Sequence, residues 1–360
     1  MRLGLLLNGW SEDAVAMLLR AHWASSTRQY QGVWDKFLSF LDLRGLSETD
    51  VTVGVVFDFL SFHAVTYRRC YWTLSSYRCA LCHPLLFAPR LEVNITASDL
   101  FFHGVFNFIP LVRARSMPSW SLNSLLSILL GPPFEPLESA SFFRLVQKTL
   151  CLLLLASGRR IGDICYLSRS ARPLPSGKGL SLSWVAGYVP KVRTPLFAAS
   201  PPSVRRMTSP VHKDRLLCPV RAYDILLRRS LDLVEDVPLA RRHHRLWIHP
   251  RTLGPVSKGS LTRWFVDLVV ASRRHAGLLE PVSVGPHQMR KLAASYSSLL
   301  GQDEDLVVRV MGFSSKFIFR KNYVARVPPL TVPCMLPGGP FLSRRSHTIS
   351  DSDSDYPFNK

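Results

Sequence analysis

The sequence predicts a mainly α-helical chain with a small β component: an N-terminal helical bundle followed by a larger mixed α+β domain. Three observations predict it. Apolar residues recur at helical spacing through most of the 360 residues. One stretch, residues 180–192, breaks that rhythm with strand-forming residues around Ala186-Gly187. A proline-bounded segment, residues 110–118, separates a nearly neutral N-terminal part from a strongly basic remainder.

In chain order, residues 26–41 read as an amphipathic helix, with Tyr30, Val33, Trp34, Phe37, Leu38 and Leu41 on one stripe. Ser26 and Gln29 are expected as its capping box and Gly45 as its stop. A second helix is expected over 53–63, with Phe59 and Leu60 inward, and a third over 73–86. The fourth, 93–108, is expected to turn Phe101, Val105 and Phe108 inward. These helices make up a domain of residues 1–109. Residues 110–118, with Arg113 and Arg115, read as a linker.

Beyond the linker, helices are expected over 122–130 and 139–157. The second is nearly all apolar at Leu150–Ala156 and therefore central to a core. Leu182, Trp184, Val185 and then Tyr188, Val189, Val192 flank Ala186-Gly187 as a β-hairpin. Residues 195–210 read as a Pro/Ser-rich loop. Pro219 opens a helix to about Leu233, and a short strand is expected at Leu246–Ile248. Helices follow over 257–276, with Leu261, Trp264, Phe265, Leu268 and Val269 as the apolar stripe, then from Pro286 to about Leu300, then near 303–311 and 315–324. The larger domain spans 119–330. The tail from Thr331, with Pro, Gly and Ser-Asp repeats, is expected to be disordered.

The net charge of +20 is unevenly placed. Residues 1–116 hold 11 Lys+Arg against 9 Asp+Glu, whereas residues 117–330 hold 31 against 13. A polyanion is the natural partner of such a surface: nucleic acid first, an acidic membrane second. No apolar run reaches the length of a membrane span, and Leu3–Leu7 is too short for a signal segment. Seven scattered cysteines make no disulfide framework and fit a reducing compartment. Cys79-Ala-Leu-Cys82-His83 matches the c-type haem attachment pattern. It falls on the helical run Leu74, Tyr77, Leu81, Leu85 and lacks a second Cys/His pair at zinc spacing, so neither metal nor other cofactor is expected.

The residues suited to chemistry fall in one order. Gly158-Arg159-Arg160-Ile161-Gly162-Asp163 follows the buried helix; a glycine turn there can aim an arginine into a cleft, and Asp163 is near enough to orient it. Lys191 lies just past the hairpin turn. His287 and Arg290 sit one turn apart at the start of the Pro286 helix, where an anion is favoured. Met311-Gly312-Phe313-Ser314-Ser315 comes next, then Tyr323. Taken singly, each has an ordinary explanation: a surface arginine, a solvated lysine, a capping histidine, a packed tyrosine.

Taken together, over about residues 20–328, they resemble the tyrosine recombinase (phage-integrase-like) family. That family's pattern is Gly-x-Arg, a lysine on a β-hairpin, His-x-x-Arg, Leu-Gly-His/Trp-Ser-Ser, and a tyrosine about ten residues on. Ser26–Phe37, Thr73–Leu81, Pro133–Ser141 and Leu217–Ala222 further resemble the recombinases of eukaryotic DIRS-like retrotransposons and Cryptons. Two positions depart. Phe313 stands where the family has His or Trp and cannot donate a hydrogen bond to phosphate, and Asp163 replaces the common Glu. Arg160 is preferred over Arg159 because it keeps the Gly-x-Arg-x-x-acid spacing.

The resemblance implies that the bundle is a core-binding DNA clamp and that 119–330 is the catalytic domain. It implies Tyr323 as nucleophile, Arg160 and Arg290 on the phosphate oxygens, Lys191 as the acid for the leaving 5′-oxygen, and His287 assisting. It also implies double-stranded DNA as substrate, a synaptic multimer, no metal, and a nuclear setting as part of a mobile element. There are two rival readings: a domesticated or decayed recombinase that only binds DNA, and a type IB topoisomerase, which shares the chemistry. A metal-dependent integrase needs a set of clustered carboxylates that the basic half does not offer.

Overall fold

The computed structural model describes residues 11–20, 24–47, 50–85, 95–109, 118–174, 179–188, 190, 207–238, 243–279, 282–328, 330–332, 334, 336 and 337. Chain contacts divide the protein into two compact units, Met1–Arg115 and Ser116–Lys360. No helix among the described residues is long and apolar enough to cross a membrane.

The first unit holds helices α1 (Glu12–Arg20), α2 (Ala24–Arg44), α3 (Val53–Val65), α4 (Tyr71–Leu85) and α5 (Ile95–Phe108). Its core is aromatic. Phe37, Phe59 and Leu60 are fully buried, and Trp34 donates its indole N–H to the Ala80 carbonyl at 3.0 Å. Two sequence expectations change here. The long helix begins at Ala24, two residues before the expected cap position at Ser26; Gly45, at φ +65°, does end it. On α5 the inner face is Ser98, Phe102 and Val105, spaced i, i+4, i+7, while Phe108 is 51% exposed and Phe101 stacks on Phe57 at 4.7 Å. Cys79 is an exposed thiol on α4; the side chains of Cys82 and His83 lie outside the described residues.

The second unit is built around α7 (Phe142–Ser157), which follows α6 (Leu122–Ile128) and is buried from Leu145 to its end. A helix surrounded on all sides has room for few polar groups, and those present are partnered. Gln147 donates to the Trp264 carbonyl at 2.9 Å, and the Lys148 ammonium donates to the Leu129 carbonyl and the Glu135 carboxylate. Around α7 pack α9 (Pro219–Asp232), α10 (Lys258–His275) and α11 (Pro286–Leu299). The expected α10 stripe holds: Leu261, Phe265, Leu268 and Val269 are fully buried, with Trp264 half-buried. Between α7 and the sheet lies a five-residue helix, α8 (Ile161–Cys165), which the sequence pattern does not predict.

The β component is a three-stranded antiparallel sheet, β1 (Leu167–Pro173), β2 (Gly179–Trp184) and β3 (Met207–Pro210), with β2 central. Leu182 pairs with Ala171 on one side and Met207 on the other. This corrects the expected hairpin. The strand before Ala186-Gly187 exists, but its partners are 167–173 and 207–210. Residues 185–188 form a turn; of the second expected arm, Val189 and 191–192 lie outside the described residues. β1 is polar (Ser168, Arg169, Ser170, Arg172) and so hides its strand character, and β3 takes the end of the expected Pro/Ser loop. At 245–248 there are two isolated bridges, Ser168 to Arg245 and Ile248 to Pro255, in place of a regular strand.

Two short helices close the unit, α12 (Glu304–Met311) and α13 (Lys316–Tyr323). The tail departs from its expected disorder over its first residues. Thr331 and Val332 donate backbone N–H to Asn123 Oδ1 at 2.9 and 3.3 Å, and Cys334 and Leu336 are buried in the main core. The alternation Val332, Cys334, Leu336 supplies an apolar face that the composition of the tail obscures. Residues 338–360 lie outside the described residues.

Candidate active site

Three turns converge at the end of α7. The first is Gly158, the left-handed residue that ends α7 at φ +56°. The second is Gly312, the left-handed residue that ends α12 at φ +67°. They interlock. A Cβ on Gly158 would overlap the Met311 side chain, and a Cβ on Gly312 would overlap the Arg159 guanidinium. The third is the start of α11. There Trp120 donates its indole N–H to Gln288 Oε1 at 2.8 Å, and the same oxygen accepts from the Gly285 backbone N–H at 3.2 Å. These bonds set the direction in which α11 enters, and with it His287 and Arg290.

Arg290 joins the turns. Its Nη1 donates to the Gly158 and Met311 carbonyls, both at 2.6 Å, and Nη2 reaches the Gly312 carbonyl at 3.5 Å. The side chain is 1% exposed. The guanidinium lies 3.9 Å over the Phe313 ring and 5.3 Å from the centre of the Tyr323 ring. Burial pushes it down to about 10, the Arg160 charge works the same way, and the Tyr323 phenol opposes both. Arg290 therefore remains a cation at neutral pH.

Tyr323 is the last residue of α13. Ser315 caps that helix, accepting from the Ile318 N–H at 3.2 Å, and Arg320 binds the Glu304 carboxylate at 2.6 and 2.7 Å, joining α13 to α12. At the other end the Ser295 hydroxyl donates to the Tyr323 carbonyl at 2.9 Å and accepts from the Ala325 N–H at 3.1 Å. The Tyr323 ring thus stands half-buried among three side chains. The Phe313 ring is 4.5 Å away, the His287 imidazole 5.4 Å, and the Arg290 guanidinium closes the group. Partial burial of the His287 ring, then the charges of Arg290, Arg160 and Lys291, holds that imidazole below its ordinary range. It is neutral at pH 7 and able to accept a proton.

No family model matches the chain, and no curated protein does. Solved structures do. The Tn1549 transposon integrase in complex with transposon right end DNA aligns with a TM-score of 0.55 at 13% identity, over 90% of this chain and 95% of that one. The XerH site-specific recombinase bound to palindromic difH substrate gives 0.54 at 16%, over 86% and 78%. Lambda integrase residues 75–356, as a dimer bound to a COC′ core site, gives 0.52 at 15%, over 88% and 95%. The fold is that of the tyrosine recombinases.

Within this recombinase fold, the residues singled out from the sequence divide into three groups. Arg290, His287, Tyr323 and Phe313 meet, as described. Arg160 is half-exposed at the start of α8, close enough that its charge is felt by both Arg290 and His287. Lys191 lies outside the described residues. The expected partnership of Asp163 with Arg160 is replaced by another. The Asp163 carboxylate is 2% exposed and accepts from the Tyr188 hydroxyl at 2.7 Å, while its charge acts on the buried Arg159. In the sequence Arg159 stands only as a rival for Arg160, and Tyr188 has no site role. Arg159 is 7% exposed and lies against Gly312 with its Cζ 5.6 Å from the Trp184 ring. The one sequence signal for that arrangement is a second arginine beside the first, with an acid four residues on.

Proposed function

We propose that this chain is a DNA strand-transferase of the tyrosine recombinase kind, cutting and rejoining duplex DNA through Tyr323. The observation that carries the reading is the meeting of Tyr323, His287 and Arg290, from α11 and α13, beside the turn that holds Arg160. In the proposed step the Tyr323 phenolic oxygen attacks the scissile phosphorus, and His287 accepts its proton. The bond to the 5′-oxygen breaks, and that oxygen takes a proton from Lys191, leaving a 3′-phosphotyrosyl link and a free 5′-hydroxyl. Attack by the 5′-hydroxyl of another strand reverses the chemistry and restores the tyrosine. Arg160 and Arg290 would neutralise the non-bridging oxygens as negative charge builds on them, so the step calls for no metal.

The surplus of Lys and Arg in residues 117–330 supports a duplex DNA partner. The DNA complexes of the Tn1549 integrase and XerH, and the lambda integrase dimer on its core site, support the same partner and a synaptic multimer. The helical first unit would serve as the clamp. A mobile-element origin, of DIRS-like or Crypton type, and residence in the nucleus rest on the flanking sequence resemblance and the substrate.

Two observations favour a second reading, a recombinase that binds DNA without cutting it. Phe313 offers no hydrogen-bond donor at the site, and Arg290 is almost fully buried with Nη1 engaged by two carbonyls. One experiment separates the readings. Purified protein is incubated with a library of nicked duplexes of randomised sequence, and SDS-resistant adducts are recovered. Adducts from the native chain that vanish in Tyr323→Phe, with DNA affinity retained, support the enzyme. Retained affinity with no adducts from either protein supports the binding-only reading, and adducts persisting in Tyr323→Phe overturn the assignment of the nucleophile.

A further inference from the structure

We infer that Tyr188 is a positioning residue for Arg160, acting through Asp163; the inference rests on the reading of Arg160 as a phosphate-holding group. Helix α8 begins directly after Arg160, whose carbonyl accepts from the Asp163 and Ile164 N–H groups at 2.8 and 3.1 Å. Five residues are too few for a helix to hold its own shape in water. The direction of Arg160 therefore depends on what grips α8 from outside.

The grip comes mainly from the end of β2. Gly187, at φ +80°, turns the chain back so that Tyr188 lies flat on Tyr166, ring centres 4.3 Å apart and 9° from parallel. From there the Tyr188 hydroxyl donates to Asp163 Oδ1 at 2.7 Å, and Trp184 donates its indole N–H to the Asp163 carbonyl at 2.9 Å. Trp247 holds the next carbonyl, that of Ile164, at 2.6 Å. The two indoles secure the backbone, but the carboxylate depends on Tyr188. Asp163 Oδ2 is buried with no hydrogen-bond partner, so the Tyr188 bond is the one hydrogen bond to that carboxylate among the described residues. Burial and the Asp163 charge push the Tyr188 phenol far up, so it stays a donor at any working pH.

Without that donor, a buried carboxylate is left with two cations to turn to: Arg159, on which its charge already acts, and Arg160, three residues back in the chain. It gains most by turning toward one of them, and a turn toward Arg160 draws that side chain away from the site of Arg290 and Tyr323. Tyr188→Phe makes this change with the ring stack on Tyr166 kept.

The test uses the full chain and two readouts. The first is amide hydrogen exchange over residues 161–166 and over α11. Tyr188→Phe is expected to speed exchange in α8 and leave α11 unchanged. The second is single-turnover cleavage of a nicked duplex recovered from the library. Loss of one hydrogen bond to a charged group is expected to slow cleavage roughly ten-fold, with DNA affinity within about two-fold. In an Arg160→Ala background, Tyr188→Phe should slow it no further. Unchanged exchange in α8, faster exchange in α8 and α11 alike, or an equal slowing in the Arg160→Ala background overturns the inference. If the native chain forms no adduct, the reading of Arg160 fails by itself. The exchange arm then decides alone: a local rise at α8 upholds the anchoring of that turn by Tyr188, and its absence overturns it.

Discussion

The Arg159 guanidinium fills the space beside Gly312 that any side chain at 312 would need: a Cβ there would overlap Nη1 and come within 3.1 Å of Cζ. One buried cation thus explains why the turn between α12 and Phe313 is bare, and it joins that turn to the one that carries Arg160. Gly312→Ala carries a backbone cost of about 1–2 kcal/mol for its left-handed conformation, plus the cost of displacing Arg159. In an Arg159→Ala background only the backbone cost remains. Urea unfolding of the four proteins should therefore show coupling of about 0.5–3 kcal/mol, the range for residues in contact. Penalties that simply add would contradict the packing relationship.

Phe313 is 3% exposed and lies under Arg290 and against Tyr323 and Phe319. Its ring supports the buried arginine whether or not the site cuts DNA. Phe313→Ala is expected to destabilise the second unit by roughly 3–5 kcal/mol, as for other buried aromatic truncations. Phe313→Trp should retain most of that stability, because an indole presents the same face to the guanidinium. Denaturant midpoints decide it; equal losses for the two variants would show that the ring is not a platform.

Lys148 is completely buried on α7 and bonded to the Glu135 carboxylate, which Arg221 also binds at 2.9 and 3.2 Å. Burial works to raise the Glu135 carboxyl, but the hydrogen bonds from Arg221 and Lys148 outweigh it and hold it below the usual range. Glu135→Ala leaves a buried ammonium without its counter-charge, with the Leu129 carbonyl still accepting from it, and is expected to cost roughly 3–5 kcal/mol. Lys148→Met in the same background should recover much of that, since the unpaired charge is gone. No recovery in thermal unfolding would show that the carboxylate acts mainly through the Arg221 bond.

His63 sits 6% exposed in the first unit, its ring 4.6 Å from Phe59 and 5.3 Å from Tyr77. Burial, then the charges of Arg69 and Lys36, keeps it below the ordinary histidine range. The unfolded chain therefore binds a proton more readily than the folded one. The stability tied to the neutral ring is full above about pH 6.5, the unfolded value, and is lost as pH falls below it. Amide exchange in α3 and α4, corrected for intrinsic rates, should show weaker protection at pH 5.5 than at 7.5, and His63→Phe should flatten the difference. An unchanged slope in the variant would assign the effect to another group.

Much of this protein is readable from its sequence because helices announce themselves locally. The stripe on α10, the all-apolar run of α7 and the proline starts of α9 and α11 are decided by residues within a few turns of each other, and they fall where the pattern puts them. His287, Arg290 and Tyr323 are readable too, because the spacing of the first two and the family order of all three are linear properties. The sheet is not. β1 is polar, β2 takes its partners from 167–173 and 207–210, and which segments pair depends on what else covers them. Only the folded chain decides that Arg159 is buried against Gly312, that Asp163 answers to Tyr188, and that Arg290 bonds to carbonyls from two separate turns. Those contacts join residues up to 153 positions apart, from Arg159 to Gly312, and burial removes the water that would otherwise satisfy each group, so their partners are set by the packing of the whole unit and by nothing nearby in the chain.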